Sequence, residues 1–322
     1  MRKTLGTLLT VLMADIVSAT GAAASAQQPN HILSLIAIII PFAASAIIGI
    51  FYNYLEDDSA YVGAISGLIS FIAIYTLIGS KGVISFPWIS SLGISIELYI
   101  DGLSLLIALL ASGIGTLVFL YSRSYMEHEG RKKKYYMVLS AFMGSMIGLV
   151  FSSNLILLFM FWEFTSICSF LLISHDQRLD AAIDASRKSL LLTVGSGLLL
   201  LIGFVILGNS LGTYSIAEML SMGGVVEHLS RSGLYLPILV LLGVGAGAKS
   251  AQVPLHIWLP DAMEAPTPVS AFLHSATMVK AGVFLLGRFR PILMEGELWS
   301  VFLLAIGFMT MTVGAVLAFK SE

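Results

Sequence analysis

Apolar runs of about twenty residues recur along almost the whole chain, and they restrict the fold more than any other feature of the sequence. Of the 322 residues, 57% are hydrophobic and only 11% are charged, whereas a soluble domain carries about 25% charged residues. A helix needs about 20 mostly apolar residues to cross a bilayer, where every backbone group must be bonded internally. The sequence therefore predicts an all-α polytopic membrane protein with one membrane domain over residues 26–322.

The runs predict about ten transmembrane helices. Residues 1–25 form an additional amino-terminal helix or signal-like segment, and retention is favoured over cleavage because Asp15 weakens the apolar run. Alternating Ile96, Leu98 and Ile100 predict an extended or hairpin segment at the membrane surface. The remaining helices are expected at 32–54, 60–79, 102–122, 135–152, 154–174, 186–207, 234–259, 266–287 and 298–319.

Basic residues predict the orientation in the membrane. The loop at 123–134 holds five Lys and Arg residues, and the positive-inside rule places such a loop in the cytoplasm. Arg2 and Lys3 are placed on the same side, so both termini are expected to be cytoplasmic in a multi-pass protein of the cell membrane. Arg288 and Arg290 fall on the outer side in this scheme, against the rule.

The composition excludes several classes of function. A net charge of −2 does not favour nucleic acid as a partner. The single Cys168 allows no internal disulfide and no multi-cysteine iron–sulfur or zinc site. No nucleotide-binding fingerprint is present. We therefore predict no cofactor or metal on this chain, and any redox cofactor of an associated complex would lie on another subunit.

Residues 243–282 bring ionisable side chains and prolines into strongly apolar runs. An ionisable group at membrane depth costs about 2.5 to 3.5 kcal/mol by insertion scales and usually marks an ion pathway. Prolines break helices, and lipid tolerates a broken helix only where it lines a cavity or packs in protein. The stretch therefore predicts two interrupted helices around a buried polar path, with ionisable groups at Lys249, His256, Asp261, Glu264, His274 and Lys280.

Two residues are the strongest candidates for moving an ion. Glu163 lies midway along an otherwise apolar helix and needs a cation as partner, either in an ion path or in a fixed ion pair that joins two helices. Lys249 follows small residues and precedes a proline. A buried lysine exchanges its proton more readily than an arginine, and the central position of Lys249 favours this role over a lysine that reaches to the interface.

Three further residues extend the candidate path. His274 and Lys280 are six residues apart, about 600° around a helix, so they would contact different neighbours; a hydrogen-bonded core histidine explains His274 almost equally well. Lys188 either joins the path or ends its helix at the cytoplasmic surface. Asp261 and Glu264 are expected to brace the broken helix ends, or to form an inner channel mouth.

Three stretches resemble a known family: KSAQVPLHIWLPDAMEAPTPVSAFLHSATMVKAG, DGLSLL at Asp101 and FWEFTSICSFLLI around Glu163. They resemble the antiporter-like subunits shared by respiratory complex I, membrane-bound hydrogenases and Mrp-type sodium/proton antiporters, above all the amino-terminal part of the Mrp large subunit. The resemblance runs from about Leu33 to the carboxyl end. Asp101 by itself fits a helix cap.

The resemblance implies a fold of two inverted five-helix repeats, each with one broken helix. This chain would contain the first repeat, from about 135 to 287, with the broken seventh and eighth family helices, and would lack the second repeat. It also implies that Glu163, Lys249, His274 and Lys280 lie on a central hydrophilic axis.

The sequence thus favours a subunit of a multisubunit prokaryotic membrane complex that takes part in proton or coupled sodium/proton translocation. It carries no bond chemistry itself, although the complex could be a redox-driven oxidoreductase. Its expected partners are the bilayer, the transported ions and other membrane subunits, one of which would supply the missing repeat. Two alternatives remain: a non-pumping structural subunit of a redox-driven complex, whose polar residues are only braces, and, ranked last, an independent permease for an organic solute.

Overall fold

The computed structural model describes residues 28–89, 94–128 and 131–320. The predicted segment at 1–25 lies outside these residues. Gly82–Ile89 (β1) and Ile94–Ile100 (β2) pair as antiparallel strands, which confirms the extended structure predicted for this segment; its place at the membrane surface stays a prediction. The helices are α1 His31–Leu55, α2 Ser59–Tyr75, α3 Gly102–Tyr125, α4 Lys132–Phe151, α5 Leu155–Ile173, α6 Asp180–Leu211, α7 Ile216–Ser221, α8 Val225–Arg231, α9 Tyr235–Lys249, α10 Trp258–Asp261, α11 Thr267–Ser270, α12 Met278–Leu293 and α13 Glu297–Lys320.

The chain is a membrane-integral helical bundle. Seven helical stretches of the described residues are long and apolar enough to span a bilayer, or eight if α8 and α9, bent by 112°, form one span. The first stretch contains both α1 and α2, which pack against each other. The exact number of crossings stays a prediction, because the predicted ten included the segment at 1–25.

Helix α4 forms the centre of the bundle. Most of its residues are buried, and α1, α3 and α5 pack around it. Helix α5 continues the bundle to α6, and α9 packs against both α6 and α12. The order places α5, α6, α9 and α12 side by side, so that polar residues on their facing surfaces meet inside the protein.

The bundle has two distinct ends. At the basic end, Lys132 donates to Asp57 at 2.7 Å and Arg131 donates to Gln177 at 2.7 Å. At the hairpin end, β2 runs directly into α3. Two short helices, α7 and α8, also lie beyond α6 at this end.

An ion pair fixes the start of α3 at the hairpin end. The Asp101 carboxylate caps α3 by accepting from the Ser104 amide at 2.9 Å, as expected, and it also accepts from both terminal nitrogens of Arg288 at 2.6 and 2.9 Å. Arg288 lies over the Tyr99 ring and is only 4% exposed. Its charge is therefore neutralised within the protein. Burial raises the pKa of Asp101, but the hydrogen bonds and charge of Arg288 outweigh this and hold it below its ordinary value.

Both predicted helix interruptions are present, at places that differ from the prolines. Helix α9 ends at Lys249, before Pro254, and the chain returns to a helix only at Trp258. Pro254 has no amide hydrogen to bond the Ser250 carbonyl, and its ring would clash with that carbonyl in a helix, so a continuous helix cannot pass this point. The predicted helix at 234–259 is therefore interrupted between Lys249 and Trp258.

The second interruption does not depend on proline at all. Pro268 lies in the first turn of α11, where a missing amide donor costs little. The break lies further on, in a π-helical turn at Ala271–Ala276 followed by Thr277 at φ −131° and ψ −79°. Single π-turns inside helices are frequent at functional sites, and this one contains His274.

Candidate functional site

Lys249 occupies the centre of the site, at the point where α9 unwinds. Its side chain is 1% exposed. The ammonium donates to the Trp162 carbonyl at 2.6 Å and to Ser166 Oγ at 3.1 Å, and lies 4.3 Å from the centre of the Trp162 ring. A cation over an indole face is attracted by the electrons of the ring. The buried charge is thus held by uncharged groups of one turn of α5.

Glu163 follows Trp162 on α5, and its carboxylate lies against α6. Both oxygens are buried and accept no hydrogen bond from the described residues. Oε1 lies so close to Gly197 of α6 that a methyl group on that residue would collide with it. Glycine is the residue that permits this approach, because it has no Cβ.

Glu163 and Lys249 are close enough for their charges to interact, yet no ion pair joins them in the described part of the chain. The carboxylate faces Gly197, whereas the ammonium is bonded to Trp162 and Ser166. Lys249 is therefore a neighbouring cation for Glu163, but the two groups are separated.

His274 lies in the π-turn, beside the other broken helix. Its ring centre is 5.7 Å from that of Trp258, and the Trp258 indole donates to the Ala248 carbonyl at 2.8 Å. Neither ring nitrogen makes a hydrogen bond of good geometry within residues 28–89, 94–128 and 131–320, although the Ala262 backbone interacts with the ring. Trp258 thus connects the residue before Lys249 with His274.

The two broken helices approach each other closely. Ser250 Oγ donates to the Val279 carbonyl at 2.9 Å. Gly282 of α12 lies directly against Ser250 and the Ala246 carbonyl, and a side chain there would collide with both. This contact places the end of α9 beside the start of α12 and so brings Lys249 and His274 into one region.

The other two predicted path residues lie elsewhere. Lys188 pairs with Asp261 near the basic end, where their side chains are 47% and 40% exposed; the role of Asp261 as a brace or as part of a channel mouth stays a prediction. Lys280 is exposed on the outer surface of the described chain. The structure thus groups Glu163, Lys249 and His274 and leaves Lys188 and Lys280 apart from them.

Three contributors were not predicted: the Trp162 carbonyl, Ser166 and Gly197. A backbone carbonyl leaves no mark in the sequence. Ser166 lies three residues after Glu163, a helical spacing that places both on one side of α5. Its hydroxyl was therefore the one feature of the sequence that could have indicated a contributor to the site. Gly197 is one of 30 glycines, and nothing in the sequence distinguishes it.

The chain is similar to known membrane proteins. Residues 152–321 match a family model described as NADH:quinone oxidoreductase/Mrp antiporter, TM, and residues 86–136 match NADH-ubiquinone oxidoreductase (complex I), chain 5 N-terminus. One subunit of the Na(+)/H(+) antiporter of Alkalihalophilus pseudofirmus is 42% identical over 293 residues, which are 89% of this chain and 36% of that protein. One subunit of a probable K(+)/H(+) antiporter of Rhizobium meliloti is 43% identical over 289 residues, 87% of this chain and 28% of that protein.

Two solved structures share the fold. A chain of the Mrp complex from Dietzia sp. is 34% identical with a TM-score of 0.82, over 88% of this chain and 31% of that one. A chain of an archaeal membrane-bound sulfane sulfur reductase is 19% identical with a TM-score of 0.68, over 80% of this chain and 40% of that one; that likeness concerns the fold alone. The chain spans about a third of the length of the curated relatives named above.

Proposed function

The chain belongs to the membrane family shared by NADH:quinone oxidoreductases and Mrp antiporters, and from that premise we propose that it moves protons as one subunit of a larger membrane complex. The observation that carries the proposal is the Lys249 ammonium, which is buried at a helix break and is bonded to uncharged groups, with no ion pair to a carboxylate of the described residues. A buried cation is costly unless it is paired. A lysine in this arrangement does not stabilise the fold. A role in ion movement explains its presence there.

The geometry supports a path from Glu163 through Lys249 to His274. The first two interact through space, and Trp258 links the end of α9 to the His274 ring. Both carboxylate oxygens of Glu163 and both ring nitrogens of His274 are buried and make no hydrogen bond of good geometry in the part of the chain that the structure describes. Buried polar groups of this kind are normally satisfied by ordered water, which conducts protons between such groups.

A proton suits these residues better than a metal cation. Lysine and histidine donate and accept protons, whereas their positive forms repel sodium and potassium. The names of the relatives in A. pseudofirmus and R. meliloti differ in sodium or potassium but share the proton. We therefore assign the proton to this path and leave coupling to a metal cation to another part of the complex.

Lys280 supports the proposal that other membrane polypeptide covers this chain. Its ammonium is exposed on α12, within a stretch apolar enough to span the membrane. A charge facing lipid at that depth is costly. Most of α13 is exposed as well, with only Trp299 buried. We propose that a further membrane segment, from a partner subunit or a longer form of the chain, packs here and brings Lys280 into the path.

We also propose a cell-membrane location with the basic end in the cytoplasm. The basic loop supports this orientation, and the ion pair of Arg288 with Asp101 removes one of the two charges that opposed it.

The test is ion transport by the intact complex in proteoliposomes. Lys249→Met keeps most of the side-chain volume and removes the charge, and we expect loss of proton transport with assembly retained; Lys249→Ala should behave alike. Lys81→Ala, at an exposed lysine of the hairpin end, is the control. Normal transport by both Lys249 variants would overturn the proposal.

A further inference from the structure

The carboxylate of Glu163 is placed by a residue on another helix. It lies against Gly197 of α6, and a methyl group at that position would occupy the space of Oε1. Gly195, two residues earlier on the same helix, has open space where its Cβ would be. The close approach is therefore specific to position 197 and is not a general property of this part of α6.

The ammonium of Lys249 has its own site on the neighbouring turn of α5. Trp162 supplies a carbonyl at 2.6 Å and Ser166 a hydroxyl at 3.1 Å. Ser166 Oγ donates in turn to the same carbonyl at 3.3 Å, so the hydroxyl is oriented to accept from the ammonium. Trp162 and Glu163 are adjacent in sequence, and the two charged groups have separate contacts: the ammonium bonds to Trp162 and Ser166, whereas the carboxylate lies against Gly197.

We propose that Gly197 and Ser166 are positioning residues that keep Glu163 and Lys249 separated: Gly197 makes room for the carboxylate on α6, and Ser166 holds the ammonium on α5. This inference rests on the proposed function. A buried pair locked together resists separation, and a transport cycle requires that both arrangements be populated. The two sites make the separated arrangement available.

Among the described residues, the ionisable groups that interact with this pair are the two partners themselves and the Cys168 thiol, which lies near Lys249. Filling the space at Gly197 would move the carboxylate away from α6 and towards Lys249. The paired arrangement would then be favoured and transport would slow.

The experiment compares Gly197→Ala with Gly195→Ala in the reconstituted complex. Excess volume in a packed interior costs enough to shift an equilibrium substantially, and we expect Gly197→Ala to lower proton transport by about tenfold. Gly195→Ala should transport like the unmodified protein. Melting temperature and subunit content, measured on the same samples, separate this effect from misfolding.

A second variant distinguishes positioning from a general packing defect. Glu163→Asp shortens the side chain by one methylene and should relieve the collision, so Glu163→Asp with Gly197→Ala should transport no less than Glu163→Asp alone. Losses that simply multiply would show two independent sites and would overturn the role of Gly197.

Ser166 is tested in the same way. Ser166→Ala should lower transport and Ser166→Thr, which keeps the hydroxyl, should restore it, while Ser169→Ala, at a buried hydroxyl of the same helix without a partner among the described residues, should have no effect. If Ser166→Ala or Gly197→Ala matches its control while Lys249→Met abolishes transport, the positioning role of that residue is wrong and the proposed function stands. If Lys249→Met transports normally, both are wrong.

Discussion

The contacts of Glu163 differ from those expected of a structural brace. A brace would show an ion pair between two helices, but neither carboxylate oxygen is bonded within the described residues. A buried charge without a partner destabilises a protein, so a neutral side chain of the same shape should be tolerated. In the proposed path, Glu163 would contribute to function at the expense of stability.

Glu163→Gln should therefore lower proton transport strongly while the melting temperature of the complex stays the same or rises. Removing an uncompensated buried charge stabilises the folded protein, whereas breaking a bonded pair costs about 3 to 5 kcal/mol. Transport assays and thermal unfolding of the same preparation measure both quantities. A lower melting temperature with normal transport would favour the bracing role.

At this scale the sequence predicted the ionisable groups but not their contacts. Glu163, Lys249 and His274 stood out because each interrupts an apolar run. Which face of its helix a residue occupies depends on packing, and so Lys280 was expected on the inner axis although it lies on the exposed face of the described chain. The bond of Lys249 to a backbone carbonyl is invisible in any side-chain pattern.

The two broken helices function as one element because they are packed backbone to backbone. Gly282 makes this possible at its contact with Ser250 and Ala246.

Gly282→Ala should lower the melting temperature, since overpacking costs about 1 to 3 kcal/mol, and should lower transport with it. Gly287→Ala is the matched control on α12, because its nearest neighbour would be a Leu103 methyl at 3.6 Å. Equal melting temperatures would contradict the close contact.

Helix α12 is also tied to the hairpin end through Arg288. Arg288→Met leaves Asp101 largely buried without its partner, and we expect a loss of about 3 kcal/mol of stability. Arg290→Met, on the same helix at an exposed arginine, should change stability little. Thermal unfolding of the complex measures both, and similar values would show that the ion pair contributes nothing.

The same pair has a defined dependence on pH. The pKa of Asp101 is lowered in the folded protein, so its contribution is complete above the unfolded value of about 3.9 and disappears as the pH falls through the lower folded value. The pair is thus intact at neutral pH. A melting temperature that responds to Arg288→Met at pH 7 but not in strong acid would agree with this.

Element types were predicted well and their interruptions less well. Apolar length and the alternation in β2 indicated the helices and the hairpin. The breaks were assigned to prolines, but α9 ends before Pro254 and α12 follows a π-turn. A π-turn depends on how neighbouring helices pack, and no residue type marks it.

At the scale of the whole molecule, the exposed Lys280 and the largely exposed helix α13 support the proposal that a further membrane segment packs on this surface. We expect a photo-activated cross-linker introduced at Val283, which is 56% exposed on α12 one turn from Lys280, to capture polypeptide outside residues 28–320 in intact membranes. The same cross-linker at Leu117 of α3, which is 65% exposed, is the control, because no partner is proposed to cover that position. Mass spectrometry identifies the products. Lipid adducts alone at Val283 would contradict the proposed cover.

Two of the four tryptophans of this chain lie at the site. The Lys249 ammonium sits over the ring of Trp162, and Trp258 lies near the His274 ring. A positive charge that arrives at or leaves an indole changes the energy of its excited state. With Trp88 and Trp299 replaced by phenylalanine, the fluorescence of the protein would therefore report the movement of charge inside the membrane, and the transport cycle would be visible without any added dye.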